Sequence, residues 1–454
     1  MKQLLTVALT LVLTIGLITP VQASVNTSPR NESQMAGYVL TDAMGLVLTQ
    51  YIGTHITVDH LMIAALSGMF DVPDRRHLNM NEADIDAFIH FGFDRLNGSD
   101  RILADVIDLI IDRYRWEYLT ASLLLDAALH GISEILDEYS YYLSEAEFDR
   151  LMDAMYGRLT GIGVTLTIED DGRVRISHVL PDSPAQDAEI FPGDILISVE
   201  GASVTGMSIE TIISLITGSE TGWVRVGVER SGRPHTFNIQ KAEIHIPTVI
   251  VDRLESIPEA SGLGGLSGFR YMHINSIGIN TGDDVRLALA QMRREGVRGL
   301  VLDLRYNAGG SLEVTIDIAN QLVPQGAVLQ RVNPDGSRRL YSSTLVQAPF
   351  ERIVVIVNRY TASGAEVIAS ALQDAGAAVL VGETTFGKGS VQSVFGLENN
   401  GVMVLTTAEY FRRSGGIING IGVVPCVVIN PESVVYGGHD VTLRRGLEIL
   451  ISGQ

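Results

Sequence analysis

The chain has 454 residues, 46% of them hydrophobic, so it is long enough for more than one domain with a buried core. Its 53 acidic and 33 basic side chains give a net charge of -20, which disfavours nucleic acid and anionic membrane surfaces as partners. The single cysteine, Cys426, excludes an internal disulfide, and cysteine and histidine residues do not occur at the spacing of a structural zinc site. The sequence therefore indicates neither a metal ion nor a cofactor.

Residues 1–23 have the pattern of an export signal. One lysine precedes the apolar stretch 4–18, which is followed by Pro20 and by a small-residue site that ends at Ala23. We predict cleavage after Ala23 and export to the periplasm, the cell envelope or the extracellular space. An uncleaved membrane tether is the alternative, because the apolar run is near the lower limit for a spanning helix.

Residues 35–155 are predicted to form a helical domain with an internal duplication. A shift of 63 residues places residues 61–68 on residues 124–131 and Thr57 on Thr120. Each copy has apolar residues at helical spacing, so duplication of a unit of roughly 40 residues is the simplest account. Chance similarity of two amphipathic helices is the alternative. Homodimer formation and partner binding are the roles open to this domain.

Residues 156–245 are predicted to form a compact β-rich module, because the hydrophobic period changes there from 3.6 to two. The module contains the loop of Gly161, Ile162, Gly163 and Val164, and turn residues separate its strands. The predicted strands are 163–168, 173–179, 193–199, 223–230 and 235–241, and a helix is predicted at 208–217.

The sequences and the order of these segments resemble a PDZ domain, with the glycine loop, the segment 181–185 and the strand 193–199 in the expected succession. The resemblance implies that the module captures an extended peptide by strand addition. It also implies that the loop from Gly161 to Val164 offers backbone N–H groups to a terminal carboxylate. An unrelated small barrel is the alternative that the period-two pattern permits.

Residues 246–454 are predicted to form an α/β core. The segment 254–268, rich in glycine, serine and proline, is predicted to be a linker or a loose loop. Beyond it strands and helices alternate, which is typical of an α/β layer architecture. The predicted strands are 270–274, 299–304, 352–358 and 377–382, and the predicted helices are 283–294, 311–322 and 364–374. The apolar segments 402–411 and 423–429 are expected to close the sheet or to lie against it.

Ser363 stands where an apolar strand gives way to a helix. Its hydroxyl is expected to project at the helix start, with the N–H of Gly364 beside it. Gly309 and Gly310 end another strand and offer a second backbone donor, and such donors can be worth roughly 3 kcal/mol each in acyl transfer. A helix cap is the alternative role for Ser363, because serine is a favoured capping residue.

Lys388 lies between two glycines, after the apolar run 377–381. Burial with few counter-charges would lower the pKa of its amine and leave it neutral, as a base that activates a serine must be. Gln392 is expected to orient that amine by a neutral hydrogen bond. A carboxylate at the same position would favour the charged lysine instead.

Taken together, these segments resemble the carboxy-terminal processing peptidases, also called tail-specific proteases. The resemblance rests on residues 136–143, 303–310, 361–366 and 382–392, in addition to the PDZ-like module. It implies a multidomain chain with a helical N-terminal region, a PDZ domain and an α/β core of the ClpP and crotonase type.

The resemblance also implies the roles of single residues. Ser363 is the nucleophile, Lys388 is the general base and Gln392 is its orienting partner, while Gly309 and Gly364 supply the oxyanion hole. The implied activity is that of a serine endopeptidase which cleaves proteins near their carboxyl end after the PDZ domain has bound an apolar tail.

Two other functions stay open at the level of sequence. A catalytically silent adaptor would use the PDZ domain to hold protein tails in the cell envelope, and the presence of Ser363, Lys388 and Gln392 argues against it. A different acyl-transfer enzyme could be built on the same sheet with its paired glycine donors, and the PDZ domain argues against that.

Overall fold

A computed structural model describes residues 32–70, 99–114, 119–156, 158–169, 172–180, 182–218, 222–245, 247–429, 435–436 and 439–453. The predicted export signal therefore lies outside the described residues. Within these ranges, no helix combines the length and the apolar character needed to cross a membrane. The chain divides into two compact units, one made of Met1–Met152 with Thr248–Gln454 and the other of Asp153–Pro247.

The first unit begins with a helical region. Helix α1 packs on α3, and α2 packs on α4. The buried side of each helix carries small and aliphatic residues at helical spacing, so the four helices share one apolar core. The elements are α1 (Glu32–Gln50), α2 (Val58–Phe70), α3 (Ser99–Tyr114), α4 (Ala121–Glu134), strand β1 (Tyr141–Leu143) and α5 (Glu145–Met155).

Two glycines allow α2 and α4 to approach closely. A Cβ atom added at Gly68 would lie 2.1 Å from the carbonyl oxygen of Ala127, and one added at Gly131 would lie 2.3 Å from that of Ala64. Glycine is therefore the residue that permits backbone contact at both positions. The two contacts are related by the same shift of 63 residues that the sequence shows.

The second unit, Asp153–Pro247, is rich in β-structure. Strands β3, β4, β5, β7 and β8 form an antiparallel sheet in this order, and β2 pairs with β9. Strand β3 lies at the edge of the sheet, and helix α7 packs against it. The elements are β2 (Arg158–Gly161), β3 (Val164–Ile168), β4 (Val174–Val179), α6 (Pro184–Asp187), β5 (Ile195–Val199), β6 (Ala202–Ser203), α7 (Ile209–Thr217), β7 (Trp223–Arg230), β8 (Arg233–Gln240) and β9 (Ala242–His245).

The rest of the first unit is an α/β core with two sheets. Its elements are β10 (Val249–Arg253), β11 (Phe269–Ile274), α8 (Thr281–Arg294), β12 (Gly299–Asp303), α9 (Leu312–Leu322), β13 (Gly326–Val332), β14 (Arg338–Ser343), β15 (Arg352–Val357), α10 (Gly364–Asp374), β16 (Val379–Gly382), β17 (Ser390–Gly396), β18 (Val402–Arg412), β19 (Val427–Val428), β20 (Val435–Tyr436), β21 (His439–Asp440) and α11 (Val441–Ser452).

The main sheet has the order β10, β11, β12, β15, β16 and β19, and all its neighbours are parallel except β10 and β11. Alternate residues of its strands face opposite sides. Leu300 and Val355 pack in the core that α8, α9 and α10 cover, whereas Val301 and Val354 pack in the core beneath α11. Helices thus cover both faces of this sheet, as a parallel sheet requires.

The second sheet has the order β1, β18, β13 and β14, and β17 pairs with β18. Strand β1 comes from the end of the helical region, and Tyr141, Tyr142 and Leu143 pair with residues 402–404 of β18. One of the two alternatives predicted from the sequence was that the segment 402–411 closes the main sheet, and the structure shows that it does not. It forms the centre of a second sheet that joins the helical region to the α/β core.

The segment 254–268 is not a loose linker. It contains two short 3-10 helices, Leu254–Ser256 and Pro258–Ala260, and Leu254, Ala260 and Leu266 are buried in the core beneath α11. Glycine and proline correctly indicated turns in this segment. Composition alone could not show that a few apolar side chains anchor those turns, because the partners of these side chains include residues of α11, almost 200 positions later in the chain.

Candidate active site

Ser363 lies at the turn between β15 and α10. Its φ of 52° and ψ of −120° are unusual for any residue other than glycine. The turn is held by hydrogen bonds on both sides, because the N–H of Ala362 donates to the carbonyl oxygen of Asn307 at 2.9 Å and the N–H of Ser363 donates to Glu366 Oε2 at 2.9 Å. Its side chain is buried. Such backbone strain is often found at functional sites, where the surrounding structure maintains it.

A buried carboxylate joins the Ser363 turn to the Lys388 segment. Glu366 Oε2 accepts hydrogen bonds from the N–H of Ser363 at 2.9 Å and from the N–H of Lys388 at 2.8 Å. Glu366 Oε1 accepts from the N–H of Gly387 at 2.8 Å and from the hydroxyl of Thr385. Because one oxygen serves the backbone of both Ser363 and Lys388, the two segments are held next to each other.

Burial raises the pKa of Glu366 to about 7, against the lowering effect of the four hydrogen bonds that it accepts. Sequence reasoning assigned no role to this residue. The signal was present, since a glutamate three residues after a serine at a helix start is the spacing of a capping box. Its link to Lys388 has no local signal, because it joins residues 22 positions apart.

Lys388 is only 3% exposed. Burial lowers the pKa of its amine to about 8, while the negative charges of Asp137, Glu138 and Glu366 oppose that shift. The Nζ atom lies 4.3 Å from the centre of the Tyr139 ring. The expectation of burial is therefore met, but the expectation of few counter-charges was wrong, because the segment around residues 137–139 comes close to the amine.

The glycines beside Lys388 allow close backbone contact. A Cβ atom at Gly387 would lie 2.9 Å from the N atom of Gly422, and one at Gly389 would lie 2.6 Å from the N atom of Asn419. Any larger residue at either position would push the 419–422 loop away. This loop therefore packs directly against the lysine segment.

Gln392 lies on β17 and is buried. Its Nε2 atom donates hydrogen bonds to Ser390 Oγ at 2.9 Å and to Thr406 Oγ1 at 3.1 Å. Both partners are neutral hydroxyl groups, which can accept hydrogen bonds from an amide nitrogen.

Gly309 lies directly against the Ser363 turn. A Cβ atom on Gly309 would lie 2.7 Å from the N atom of Gly364 and 2.8 Å from the Cβ atom of Ser363. The N–H of Gly309 donates to Asn307 Oδ1 at 2.8 Å. The structure thus places Gly309 and Gly364, which come from two different loops, side by side, with the Gly309 N–H bonded to Asn307.

The loop from Gly161 to Val164 lies in the second unit, where it connects the last residue of β2 to the first residue of the edge strand β3. The carbonyl oxygen of Ile162 accepts from the N–H of Ala185 at 2.8 Å, and that of Gly163 accepts from the N–H of Leu180 at 2.9 Å. Gly163 has a φ of 79°, and a Cβ atom there would lie 2.3 Å from the Cβ atom of Ser183. Glycine is therefore required for both the conformation and the space.

The part of the chain that the structure describes contains no group of three or more histidine, cysteine, aspartate or glutamate side chains arranged to hold a metal ion.

Residues 269–429 match Peptidase family S41, and residues 151–229 match the PDZ domain. The chain is 30% identical over 342 residues to a carboxyl-terminal-processing protease of Picosynechococcus sp., covering 72% of this chain and 80% of that protein. It is also 30% identical over 315 residues to a chloroplastic C-terminal processing peptidase of Tetradesmus obliquus, covering 67% of this chain and 68% of the other.

Among solved structures, the photosystem II D1 C-terminal processing protease has a similar fold, with a TM-score of 0.50 and 24% identity over 90% of this chain and 95% of that one. These matches confirm the resemblance found in the sequence and the predicted combination of a helical region, a PDZ domain and a peptidase domain. The chain therefore belongs to the carboxyl-terminal-processing proteases of family S41, serine-type peptidases with a PDZ domain that act on peptide or protein substrates.

Proposed function

We propose that this protein is an exported endopeptidase which cleaves proteins near their carboxyl end, with Ser363 as nucleophile and Lys388 as general base. The shared oxygen of Glu366 is the observation that carries the proposal, because it holds the backbone of both residues in one buried site. The strained turn at Ser363 and the lowered pKa of Lys388 support it.

In the proposed reaction, neutral Lys388 takes the proton from Ser363 Oγ as that oxygen attacks the carbonyl carbon of the scissile peptide. The lysine then gives this proton to the leaving amine, and an acyl-enzyme ester remains on Ser363. In the second half, Lys388 takes a proton from water, which attacks the ester and releases the new carboxyl end. The proton returns to Ser363 Oγ, so the enzyme is restored.

The proton transfer requires the uncharged amine. With a pKa of about 8, Lys388 is neutral in about one tenth of the molecules at pH 7 and in about half of them at pH 8. Exclusion of water therefore makes lysine usable as a base near neutral pH. Gln392 is proposed to orient the amine without adding a charge.

The oxyanion that forms during attack is proposed to bind the N–H groups of Gly364 and Gly309. The Gly309 N–H is engaged by Asn307 Oδ1 in the structure, so the substrate oxygen has to replace that acceptor. An oxyanion is a stronger acceptor than a neutral amide oxygen. The donor would therefore favour the intermediate over the bound peptide, which is the condition for catalysis.

The PDZ domain is proposed to capture the substrate tail as an added strand beside β3, with its carboxylate at the loop of Gly161, Ile162, Gly163 and Val164. Strand β3 is an edge strand, and α7 lies along it. Ile168 on β3 is 44% exposed and Ile213 on α7 is 48% exposed, which supports an apolar tail.

We propose domain boundaries at residues 35–155, 156–245 and 246–454, after an export signal at residues 1–23. Gly68 lies against Ala127 and Gly131 lies against Ala64, and the shift of 63 residues relates each residue of one contact to a residue of the other. These paired contacts support the proposed duplication of the helical unit. Formation of a homodimer through this region and a membrane tether at the N-terminus are further proposals. Sedimentation of the chain from residue 24 tests the dimer, which a mass of one chain would contradict.

Cleavage of an unfolded protein with an apolar carboxyl end tests the proposed function. The chain from residue 24 is compared by mass spectrometry with its Ser363→Ala and Lys388→Ala variants. Cleavage by the parent and by neither variant supports the proposal. Tail binding without cleavage would favour the adaptor function, and activity that survives both substitutions would assign the wrong nucleophile and base.

A further inference from the structure

Asp137 and Gln392 are connected through a single buried threonine. Thr406 Oγ1 donates to Asp137 Oδ1 at 3.0 Å and accepts from Gln392 Nε2 at 3.1 Å and from Ser140 Oγ at 3.2 Å. A hydroxyl group has one proton and two lone pairs, so these three bonds use its full capacity. The connection joins the end of the helical region to the α/β core across 269 positions of the chain.

The direction of each bond follows from the carboxylate. An ionised carboxylate can only accept, so the hydroxyl of Thr406 has to donate to Asp137. The remaining lone pairs of Thr406 Oγ1 then require donors, and the amide NH2 of Gln392 is one of them. Because Ser390 Oγ also accepts from Gln392 Nε2, at 2.9 Å, the two hydroxyls hold the nitrogen side of the amide. Its oxygen side faces away from them.

Asp137 is itself held in place. Its N–H donates to Tyr51 Oη at 3.0 Å, and the N–H of Tyr139 donates to Asp137 Oδ1 at 2.9 Å. Next to it, the N–H of Thr406 donates to Ser140 Oγ at 2.8 Å. Asp137 and Thr406 therefore lie on two chain segments that are hydrogen-bonded to each other. These bonds restrict the movement of the hydrogen-bond network that ends at Gln392.

We propose that Asp137 and Thr406 are positioning residues that fix the orientation of the Gln392 amide, so that its oxygen and not its nitrogen faces the amine of Lys388. The inference rests on the proposed function, because it takes Lys388 as the base. A neutral amine has two N–H groups and one lone pair. An amide oxygen accepts one N–H and leaves the lone pair for the serine proton, whereas a reversed amide would donate to that lone pair and block it.

The charge of Asp137 acts in the opposite direction to this positioning role. It raises the pKa of Lys388, so its removal alone would increase the neutral fraction of the lysine and with it the activity near pH 7. Positioning predicts a loss instead. The two effects separate at high pH, where the lysine is neutral in every variant and only the orientation of the amide still differs.

The test measures kcat and KM for a peptide substrate from pH 6 to pH 10.5 in the parent, Thr406→Val, Thr406→Ser and Asp137→Ala. Thr406→Val keeps the shape and removes the hydroxyl, and Thr406→Ser is the matched control that keeps it. We expect Thr406→Val and Asp137→Ala to lower the high-pH plateau of kcat on the order of tenfold with KM unchanged, and Thr406→Ser to stay within about twofold of the parent.

Rates are calculated per folded molecule, and the folded fraction of each variant is measured by denaturant unfolding followed by circular dichroism, so that misfolded molecules do not count. A parental plateau in Asp137→Ala or in folded Thr406→Val overturns the inference, as does an equal loss in Thr406→Ser, which would indicate packing of the methyl group. If Thr406→Val does not fold, Asp137→Ala on the partly exposed segment decides the question. If the inference is overturned while the Ser363→Ala and Lys388→Ala controls are inactive, the proposed function still stands. Activity in either control overturns the proposed function as well.

Discussion

Replacement of Lys388 by methionine is expected to stabilise the folded protein. Burial lowers the pKa of this lysine from 10.5 to about 8, which is a difference of about 2.5 units between the unfolded and folded states. At 1.36 kcal/mol per unit, the charged lysine costs about 3 kcal/mol of folding free energy at any pH well below 8. Methionine has a similar length, carries no charge and suits a buried position.

The pH dependence identifies the cause of this stabilisation. Between pH 10.5 and pH 8 the unfolded chain binds a proton on Lys388 that the folded chain does not bind, so the parent loses stability as the pH falls through this range. Below pH 8 the penalty is constant. We therefore expect Lys388→Met to exceed the parent by about 3 kcal/mol at pH 7 and by close to zero above pH 10.5.

Denaturant unfolding followed by circular dichroism at pH 7, 8, 9 and 10.5 measures the difference between the parent and the variant. Lys241→Met in the second unit is the matched control, because that lysine donates to the carbonyl oxygen of Thr217 and is not in the buried site. A variant that is less stable than the parent at pH 7 would refute the reasoning. So would a difference that does not shrink as the pH rises, because it would then come from packing and not from charge.

Other predictions concern the site and the PDZ domain. The kcat/KM of the parent should rise with pH around a midpoint near 8 as Lys388 loses its proton. Asp137→Asn should move that midpoint to lower pH, because a charge that raises the pKa of Lys388 is removed, and a pH titration of kcat/KM checks both. Glu366→Gln should lower kcat at least about tenfold and destabilise the protein by about 2 kcal/mol, because its NH2 group would face backbone N–H donors, as kinetics and denaturant unfolding would show. Gly163→Ala should weaken binding of an apolar tail peptide without changing the hydrolysis of a short peptide, since its Cβ would meet Ser183, and parental tail affinity in a titration would contradict the proposed loop.

Much of the secondary structure could be predicted because it has a local cause. The predicted strand at 352–358 and helix at 364–374 agree closely with β15 (Arg352–Val357) and α10 (Gly364–Asp374). The hairpin of β13 and β14 was missed, since its strands are amphipathic and carry several charged residues, and so was β17, which begins directly after the glycine-rich lysine segment. Strand β1 has three residues, too few for a periodic pattern to indicate.

In the candidate site, too, the residues that follow from local patterns could be predicted and those that depend on the fold could not. The serine at the start of a helix, the glycine-flanked lysine and the paired glycines are local patterns, so the sequence predicted Ser363, Lys388 and Gly309 without the fold. Glu366 and Thr406 were missed as members of the site. Glu366 has the local spacing of a capping box, but its bond to the N–H of Lys388, 22 positions away, depends on how the chain folds. The bond between Thr406 and Asp137 spans 269 positions, and no local pattern encodes it.

The sequence by itself determined the family, the order of the helical, PDZ and peptidase parts, and the residue types available for acyl transfer, because these follow from short motifs and from hydrophobic periods. Only the tertiary structure decided how the lysine is tuned. Burial lowers its pKa, while Asp137 and Glu138 from the helical region and Glu366 from α10 oppose that shift. Desolvation and charge depend on distances through space, and those distances exist only after the second sheet has joined the helical region to the core.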